Sequence, residues 1–308
     1  MTNGIGLDQL RRRIGALDED CYVEPIHKGY SADQKYLVTK ASGDKLLLRV
    51  MTAEQYPRKQ TEFRLIQAMY QDNLLVPRPI EIGNCDDLDV CYYVLSYIEG
   101  SDAEACIREY PSDVQFNIGF RAGRDLRRMH AYKAPADVAP WEERVVKKFR
   151  RYIEAYKGIN VMVKDAAKVI AFIDDNLARL KHRPNRFQHD DFHVGNIIVL
   201  DGQYAGVIDF NRYDWGDPIH DLLKVGYFSR AVSVPFSVGQ IQGYFEQGQL
   251  GEEFWILYST YTAMTIFSLV VWTMRVVPDT IDSMMEIVNR VLEDHKWFEL
   301  KRPTWYRD

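Results

Sequence analysis

The spacing of apolar residues changes near residue 100, and this change limits the fold more than any other feature of the sequence. Before it, short apolar and β-branched runs between turn residues predict strands, and one stretch has helical spacing. The predicted strands cover 22–26, 35–40, 45–50 and 90–98, and the predicted helix covers 57–70. Helical patterns then cover 112–130, 141–158, 164–182, 217–229, 235–248, 252–276 and 280–295, with two short β runs between 187 and 210.

A chain of 308 residues suits two modest domains or one large domain with two lobes. Strands followed by helices predict an α+β protein, because the two kinds of element then form separate layers. We therefore predict a small antiparallel-sheet lobe over residues 1–98 and a larger helical lobe over residues 99–308, with a hinge near 96–100.

The charge balance excludes one class of partner. Lys and Arg number 39, and Asp and Glu number 44, which gives a net charge of −5. A dedicated nucleic-acid binder needs a basic face to neutralise phosphates, so we predict no nucleic-acid partner. One loop can still bind a small anion.

The cysteines and the N-terminus predict a cytoplasmic protein. None of the four cysteines belongs to a C-x-x-C pair, so we expect reduced thiols. The N-terminal residues have the pattern of neither a secretory signal nor a lipidation site.

Residues 254–274 form an uncharged run about as long as a membrane span. Six serine and threonine side chains are spread along it, no second run of this kind occurs, and no strongly basic flank adjoins it. We interpret the run as a buried helix at the centre of the helical lobe and predict no membrane partner.

The segment 187–224 contains several polar residues at informative spacings. Asp191 follows His189 by two positions, Asn196 follows Asp191 by five, and Asp209-Phe210 comes after the two β runs. Phosphoryl transfer from a magnesium nucleotide needs one carboxylate for the attacking hydroxyl, and an amide oxygen and a second carboxylate for the metal ions. The alternative is a polar loop before a hairpin, since isolated aspartates are often turn formers or helix caps.

The same segment resembles the small-molecule kinases of the aminoglycoside phosphotransferase and choline kinase type, which share the protein-kinase-like fold. The family's H-G-D-L-H-x-x-N loop, its I-D-[FW] motif and its G-D-P-x-x-D-L motif all have counterparts here. The matching residues are His189, Asp191, Phe192, His193, Gly195 and Asn196, then Ile208, Asp209 and Phe210, then Gly216, Asp217, Pro218, Asp221 and Leu222.

The resemblance implies a role for each matching polar residue. It implies that Asp191 is the catalytic base and that Asn196 and Asp209 are Mg²⁺ ligands. It also implies that His189, Asp217 and Asp221 brace the loop.

Two positions depart from the family pattern. Asp190 stands where the family usually has Gly, and the five-residue spacing to Asn196 selects Asp191 as the base. Asn211 follows Phe210 where protein kinases have Gly, which argues against regulation by a flipping D-F-G segment.

The resemblance also implies a nucleotide site for ATP or GTP in the first lobe. Arg49 on the third strand would hold the α- and β-phosphates, and Glu62 on the next helix would pair with it. Ser31, in the turn over 28–35, would bind the β-phosphate, and the backbone of Ser96 and Ile98 would bond the purine edge.

The sequence leaves the acceptor open. The leading prediction is an aminoglycoside-type antibiotic, which would make the chain a resistance kinase. The alternatives are a metabolic kinase for choline, a hexosamine or a similar alcohol, a macrolide kinase, and a non-catalytic nucleotide-binding protein of this fold. A protein kinase is disfavoured because no A-P-E segment follows Asp209. The candidate contacts to a cationic acceptor are Asp214, Glu246, Glu252 and Glu253.

Overall fold

The computed structural model describes residues 7–27, 29, 33–246, 248 and 250–307. The chain divides into two compact units. The smaller unit consists of Met1–Gly100 with Ala205–Asn211, and the larger unit consists of Ser101–Tyr204 with Arg212–Asp308. The smaller unit therefore takes up a short segment from late in the sequence, in addition to the N-terminal hundred residues.

The smaller unit is built on a five-stranded antiparallel sheet of order β1-β2-β3-β5-β4. Its elements are α1 (Leu7–Arg11), β1 (Tyr22–Pro25), β2 (Gln34–Thr39), β3 (Lys45–Thr52), α2 (Tyr56–Gln71), β4 (Pro79–Cys85) and β5 (Val90–Ser96). Leu10 and Ile14, on and just after α1, are buried with Leu48 and Val94 of the sheet in one apolar cluster. On α2, Phe63, Ile66 and Met69 recur at helical spacing and are buried.

Strand β4 lies in a stretch that the sequence presents as turn-rich. It contains Pro79, Gly83 and Asn84, which are depleted in strands, and it pairs only with β5, at the edge of the sheet. A Cβ on Gly83 would lie 2.6 Å from the ring of Tyr92 on β5. The glycine therefore lets the two strands accommodate that tyrosine.

The larger unit is mainly helical. Its helices are α3 (Ala103–Cys106), α4 (Ser112–Met129), α5 (Trp141–Lys157), α6 (Ala166–Asn176), α7 (Pro218–Asp221), α8 (Arg230–Val232), α9 (Val234–Tyr244), α10 (Glu252–Val276) and α11 (Ile281–Asp294), and a π-helical turn covers Val225–Ser229. Its short strands are β6 (Ser101–Asp102), β7 (Arg186–Gln188), β8 (Ile197–Leu200), β9 (Gln203–Val207), which ends in the smaller unit, and β10 (Asp214–Gly216).

Helix α10 contains the uncharged run 254–274 recognised in the sequence. It is long and apolar enough to cross a membrane, and 83% of its most apolar window is buried inside the protein. Thr260 and Ser268 donate their hydroxyl hydrogens to backbone carbonyls of Ile256 and Thr265 on the same helix. These bonds satisfy polar groups that burial would otherwise leave without partners.

Two antiparallel pairings position the polar loops. Strand β10 pairs with β7, with Asp214 opposite Gln188, and the loop that carries His189 to Asn196 begins directly after β7. Strand β6 pairs with β8, which leads through the turn at Asp201 and Gly202 into β9. Residues 208–211 follow β9 and belong to the smaller unit.

Candidate active site

The loop after β7 is held in place by a buried carboxylate. Asp221 accepts hydrogen bonds from the backbone N–H groups of His189 and Asp190, both at 2.6 Å. The ring of His130 lies 3.1 Å from the same carboxylate. Burial alone would raise the pKa of Asp221, but the hydrogen bond with His130 and the backbone donors lower it. Asp221 therefore acts as an ionised brace for the start of the loop.

Asp191 is the carboxylate that this loop presents. The Nζ atom of Lys224 and the Nε2 atom of His193 lie 3.3 Å and 3.4 Å from its Oδ1. Its side chain is 24% exposed. Burial raises the pKa of Asp191, and the positive charge of Lys224 together with the bond to His193 more than reverses that effect, so that the pKa lies below its usual range. Asp191 is therefore an ionised carboxylate throughout the neutral range.

Asn196 ends the same loop. Its Nδ2 atom donates to the backbone carbonyl of Asp191 at 2.8 Å. This bond fixes the orientation of the amide and leaves the side-chain carbonyl oxygen as the atom suited to a metal ion.

Asp190 differs from its neighbour in both its backbone conformation and the direction of its pKa shift. Its φ of 58° lies in the left-handed region. Its carboxylate is 3.6 Å from Nδ1 of His220. Burial raises the pKa of Asp190 and lowers that of His220 to about 3, so this histidine is neutral at physiological pH. The two adjacent aspartates thus have pKa values shifted in opposite directions.

Asp217 braces the segment that follows. It is fully buried, caps α7 by accepting from the N–H of Ile219, and pairs with Arg183 through both of its oxygens at 2.5 Å and 3.0 Å. The hydroxyl of Tyr261 donates to it at 2.8 Å. His189, also fully buried, lies with its ring edge against Phe192.

The smaller unit contains a separate cluster of buried charges. Arg49, whose side chain is 3% exposed, pairs with Asp33 at 2.7 Å and with Asp209 at 2.9 Å. Asp209 has a φ of 65°, and its side chain is 39% exposed. Arg49 on β3 and Asp209 after β9 thus meet within one unit although they lie far apart in the sequence.

Glu62 does not pair with Arg49 as the resemblance implies. Its carboxylate accepts from Nζ of Lys59 at 3.0 Å and from the hydroxyl of Tyr93 at 2.9 Å. Lys59 is fully buried, lies 3.5 Å from Asp33, and also donates to the side chain of Asn211. The reason is geometric. Lys59 lies three positions before Glu62 on α2, so the two side chains share one face of the helix and form an ion pair.

Three residues that complete these clusters were not predicted from the sequence: Asp33, Lys59 and Lys224. Two of them leave a signal in the sequence. Lys59 precedes Glu62 by three positions and Lys224 follows Asp221 by three, the spacing at which helical side chains share a face. The pairing of Asp33 with Arg49 depends on the β2–β3 register, which spacing along the chain does not reveal.

The remaining predicted contacts are at the end of β5 and in the first turn. Ser31 lies outside the described residues. The N–H of Ser96 donates to the carbonyl of Arg78 at 2.8 Å, so this N–H is already used. The N–H of Ile98 donates to none of the described residues, which suits the predicted contact with a nucleotide base.

The candidate metal ligands carry the donor atoms that magnesium prefers. Asn196 offers an amide oxygen in the larger unit, and Asp209 offers a carboxylate in the smaller one. Within the described ranges, no three or more His, Cys, Asp or Glu side chains lie together as a metal site. Magnesium commonly takes one or two protein oxygens, with phosphate and water oxygens completing the shell, so the side-chain oxygen of each residue, taken within its own unit, is a suitable donor.

Comparison with known families identifies the class of protein. The sequence profile of the phosphotransferase enzyme family matches residues 23–255. The chain belongs to this family, and it is a small-molecule kinase. The protein-kinase-like bilobal α+β fold predicted from the sequence is confirmed. No curated protein sequence matches the chain.

Solved structures with this fold include kinases of several antibiotics. The GDP complex of aminoglycoside 2'-phosphotransferase-IIIa has 12% identity and a TM-score of 0.65, with 92% of this chain and 96% of that chain covered. A complex of aminoglycoside phosphotransferase APH(4)-Ia with AMP-PNP and hygromycin B has 13% identity and a TM-score of 0.65, covering 92% and 95%. Amicoumacin kinase hAmiN with AMP-PNP and Ca²⁺ has 14% identity and a TM-score of 0.61, covering 87% and 88%. These likenesses establish the fold.

Proposed function

We propose that the chain moves the γ-phosphoryl group of ATP or GTP to a hydroxyl of a small molecule, with Asp191 as the base. The observation that carries this proposal is the ionised Asp191 carboxylate between Lys224 and His193, on a loop braced by Asp221. A general base must be ionised and within reach of the proton that it takes. Asp191 meets the first condition and is partly exposed.

The proposed reaction is a direct transfer of the phosphoryl group to the acceptor. The acceptor oxygen bonds to the γ-phosphorus, the bond to the β-bridging oxygen breaks, and the hydroxyl proton passes to Asp191. Arg49 is the side chain that would contact the α- and β-phosphates. Its two terminal nitrogens pair with Asp209 and Asp33, so a phosphate would compete with these carboxylates for the guanidinium. Asn196 and Asp209 are the residues that would bind magnesium, and the ion would offset the negative charge on the transferring group.

Charge stabilisation contributes more than proton removal to a loose phosphoryl-transfer transition state. We therefore expect Asp209→Asn to lower kcat more than Asp191→Asn, with the loss for Asp191→Asn about 10²- to 10⁴-fold. Release of the nucleoside diphosphate, measured with Mg²⁺ and a panel of acceptors, gives both values. Unchanged turnover in Asp191→Asn would contradict the mechanism, and the reverse order would contradict the ranking.

The acceptor prediction from the sequence remains an aminoglycoside-type antibiotic. Its support is that proteins with this fold were solved with hygromycin B and as an amicoumacin kinase. A metabolic alcohol kinase and a macrolide kinase are the alternatives, and a cytoplasmic location remains a prediction. Mass spectrometry of a mixed antibiotic and metabolite panel, read as the gain of one phosphoryl group, distinguishes these acceptors. Absence of any nucleotide turnover with Mg²⁺ would favour a non-catalytic protein.

A further inference from the structure

A cavity of about 480 Å³ lies in the larger unit along helix α5. Its volume is within the range of about 300–1,000 Å³ that is typical of small-molecule sites. One wall is the face of α5 that carries Arg144, Lys147, Lys148 and Arg151, and Asp214 of β10 completes it. The cavity therefore has the size of a ligand site and a strongly basic lining.

The positive charge of this lining is only partly neutralised. Asp214 pairs with Arg144 at 3.0 Å. In the described part of the chain, Lys147, Lys148 and Arg151 have no carboxylate within ion-pair distance. Like charges three and four positions apart on a helix repel each other, and an anion in the cavity would relieve that repulsion. The lining thus favours a negatively charged ligand.

The cavity adjoins the loop that carries the proposed base. Trp141 in its wall packs edge-on against His220, with ring centroids 5.1 Å apart. His220 in turn faces Asp190, which directly precedes Asp191. Asp214, opposite Gln188 in the β7–β10 pair, joins the cavity to the strand that enters the loop. The cavity wall is therefore connected, through two side-chain contacts, to the residue that directly precedes the proposed base.

We infer that this cavity binds the acceptor and that the acceptor is acidic, a hydroxyl compound bearing a carboxylate or phosphate group. The inference rests on the proposed function and names its substrate class. It departs from the aminoglycoside acceptor predicted from the resemblance. An aminoglycoside would bring ammonium groups against Lys147, Lys148 and Arg151, and Asp214, a candidate contact to a cation, is already paired with Arg144.

The test uses matched sugars that differ in charge: glucuronate and glucose 6-phosphate, neutral glucose, and cationic glucosamine and kanamycin. Isothermal titration calorimetry without nucleotide measures their binding to the wild-type chain and to a variant combining Lys147→Gln, Lys148→Gln and Arg151→Gln. We expect an acidic sugar to bind the wild type most tightly, and its Kd to rise at least about tenfold in the variant and with added salt.

The control is Arg150→Gln, on the same helix. Arg150 pairs with Asp174 and lies outside the cavity lining, so binding in this variant should match the wild type. Circular dichroism and thermal unfolding of all variants check that they fold. Glutamine is shorter than lysine and arginine but remains polar and uncharged, so the substitutions remove the charge without placing apolar groups on the surface.

Three results would overturn the inference: no acidic sugar binds the wild type, acidic binding is unchanged in the triple variant, or only cationic compounds gain a phosphoryl group. The last result would leave the proposed kinase activity standing. Conversely, charge-dependent binding of acidic sugars without any phosphoryl transfer would contradict the proposed function and support the anion site. The calorimetric and mass-spectrometric measurements therefore separate the two failures.

Discussion

At the scale of single residues, backbone conformation explains an unusual amino acid in the loop. The family motif has Gly at the position of Asp190, and the φ of Asp190 is 58°. Glycine adopts this left-handed region without steric cost, and aspartate is among the few other residues that enter it often. Asp209 has the same type of backbone, with a φ of 65°. At these two positions the chain uses a short polar side chain where the backbone would also suit glycine.

We expect Asp190→Gly to fold and to keep turnover within about threefold of the wild type, since the backbone conformation suits glycine. Asp190→Ala should be less stable than Asp190→Gly by about 1–2 kcal/mol, because a Cβ is strained in that region. Thermal unfolding and kcat measure both effects. If Asp190→Gly lost activity as severely as Asp191→Asn, Asp190 would have to be reconsidered as the base.

Lys224 lowers the pKa of Asp191, and this predicts how activity depends on pH. Lys224 and His193 hold the pKa of Asp191 below its unfolded value near 3.8. Ionisation of Asp191 therefore contributes stability above that value, and the contribution is lost as the pH falls through the folded pKa. In Lys224→Met the largest favourable charge is gone and burial remains, so the pKa rises.

For Lys224→Met we expect the acid limb of kcat/KM to lie at higher pH than in the wild type, because burial then raises the pKa of Asp191 without the opposing charge of Lys224. Lys168→Met serves as the control, because Lys168 pairs with Glu299 on the exposed surface. Profiles of kcat/KM against pH for the three proteins make the comparison. Identical profiles would show that Lys224 does not control the base.

At the scale of elements, glycines set how closely helices α4 and α9 approach. A Cβ on Gly123 of α4 would lie 2.0 Å from the backbone carbonyl oxygen of Gln240, and one on Gly243 of α9 would lie 2.0 Å from that of Phe120. Backbone atoms cannot move aside as a flexible side chain can. The two helices therefore depend on these glycines for their packing.

Gly123→Ala should lower the free energy of unfolding by about 1–3 kcal/mol or more, since the methyl group forces α4 and α9 apart. Gly251→Ala is the matched control, because none of the described residues beyond its chain neighbours has an atom within 4 Å of its added Cβ. Urea unfolding followed by circular dichroism measures the difference. Equal stability of the two variants would mean that the helix pair adjusts without cost.

Helices could be predicted from the sequence where apolar residues keep one helical period over the whole element. The 252–276 pattern coincides with α10, and the 112–130 and 141–158 patterns coincide with α4 and α5 to within a residue. The 217–229 pattern instead divides into α7 and a π-helical turn over Val225–Ser229. A π turn adds one residue to a turn, which a search for period 3.6 does not detect. Lys224 directly precedes this irregular turn.

At the scale of the whole molecule, the sequence located the motif residues but not all of their partners. The spacing from Asp191 to Asn196 is local, and the structure joins these two residues by a hydrogen bond. The pair of Arg49 and Asp209 and the preference of Glu62 for Lys59 arise from tertiary packing. Period and motif spacing report neighbours along the chain, so contacts of this kind require the fold.

The burial of α10 predicts how the whole chain partitions in a cell extract. With 83% of its most apolar window covered by protein, this helix has little surface to offer to lipid. We expect the expressed chain to remain in the supernatant after high-speed centrifugation without detergent. Retention in the membrane pellet, with release only by detergent, would contradict the interpretation of α10 as an internal helix.

Ala205–Asn211 belongs to the smaller unit but is translated long after the rest of it, and this affects when the unit can be completed on the ribosome. This segment is anchored where the N–H of Val207 donates to the carbonyl of Leu75 at 3.0 Å, and it carries Asp209 to Arg49. At about 5–20 residues per second, a ribosome needs roughly 5–20 s to travel from Gly100 to Ala205. Throughout that interval the nascent N-terminal hundred residues contain Arg49 without Asp209. The N-terminal unit is therefore finished only after all of the polypeptide that separates its two pieces has been made.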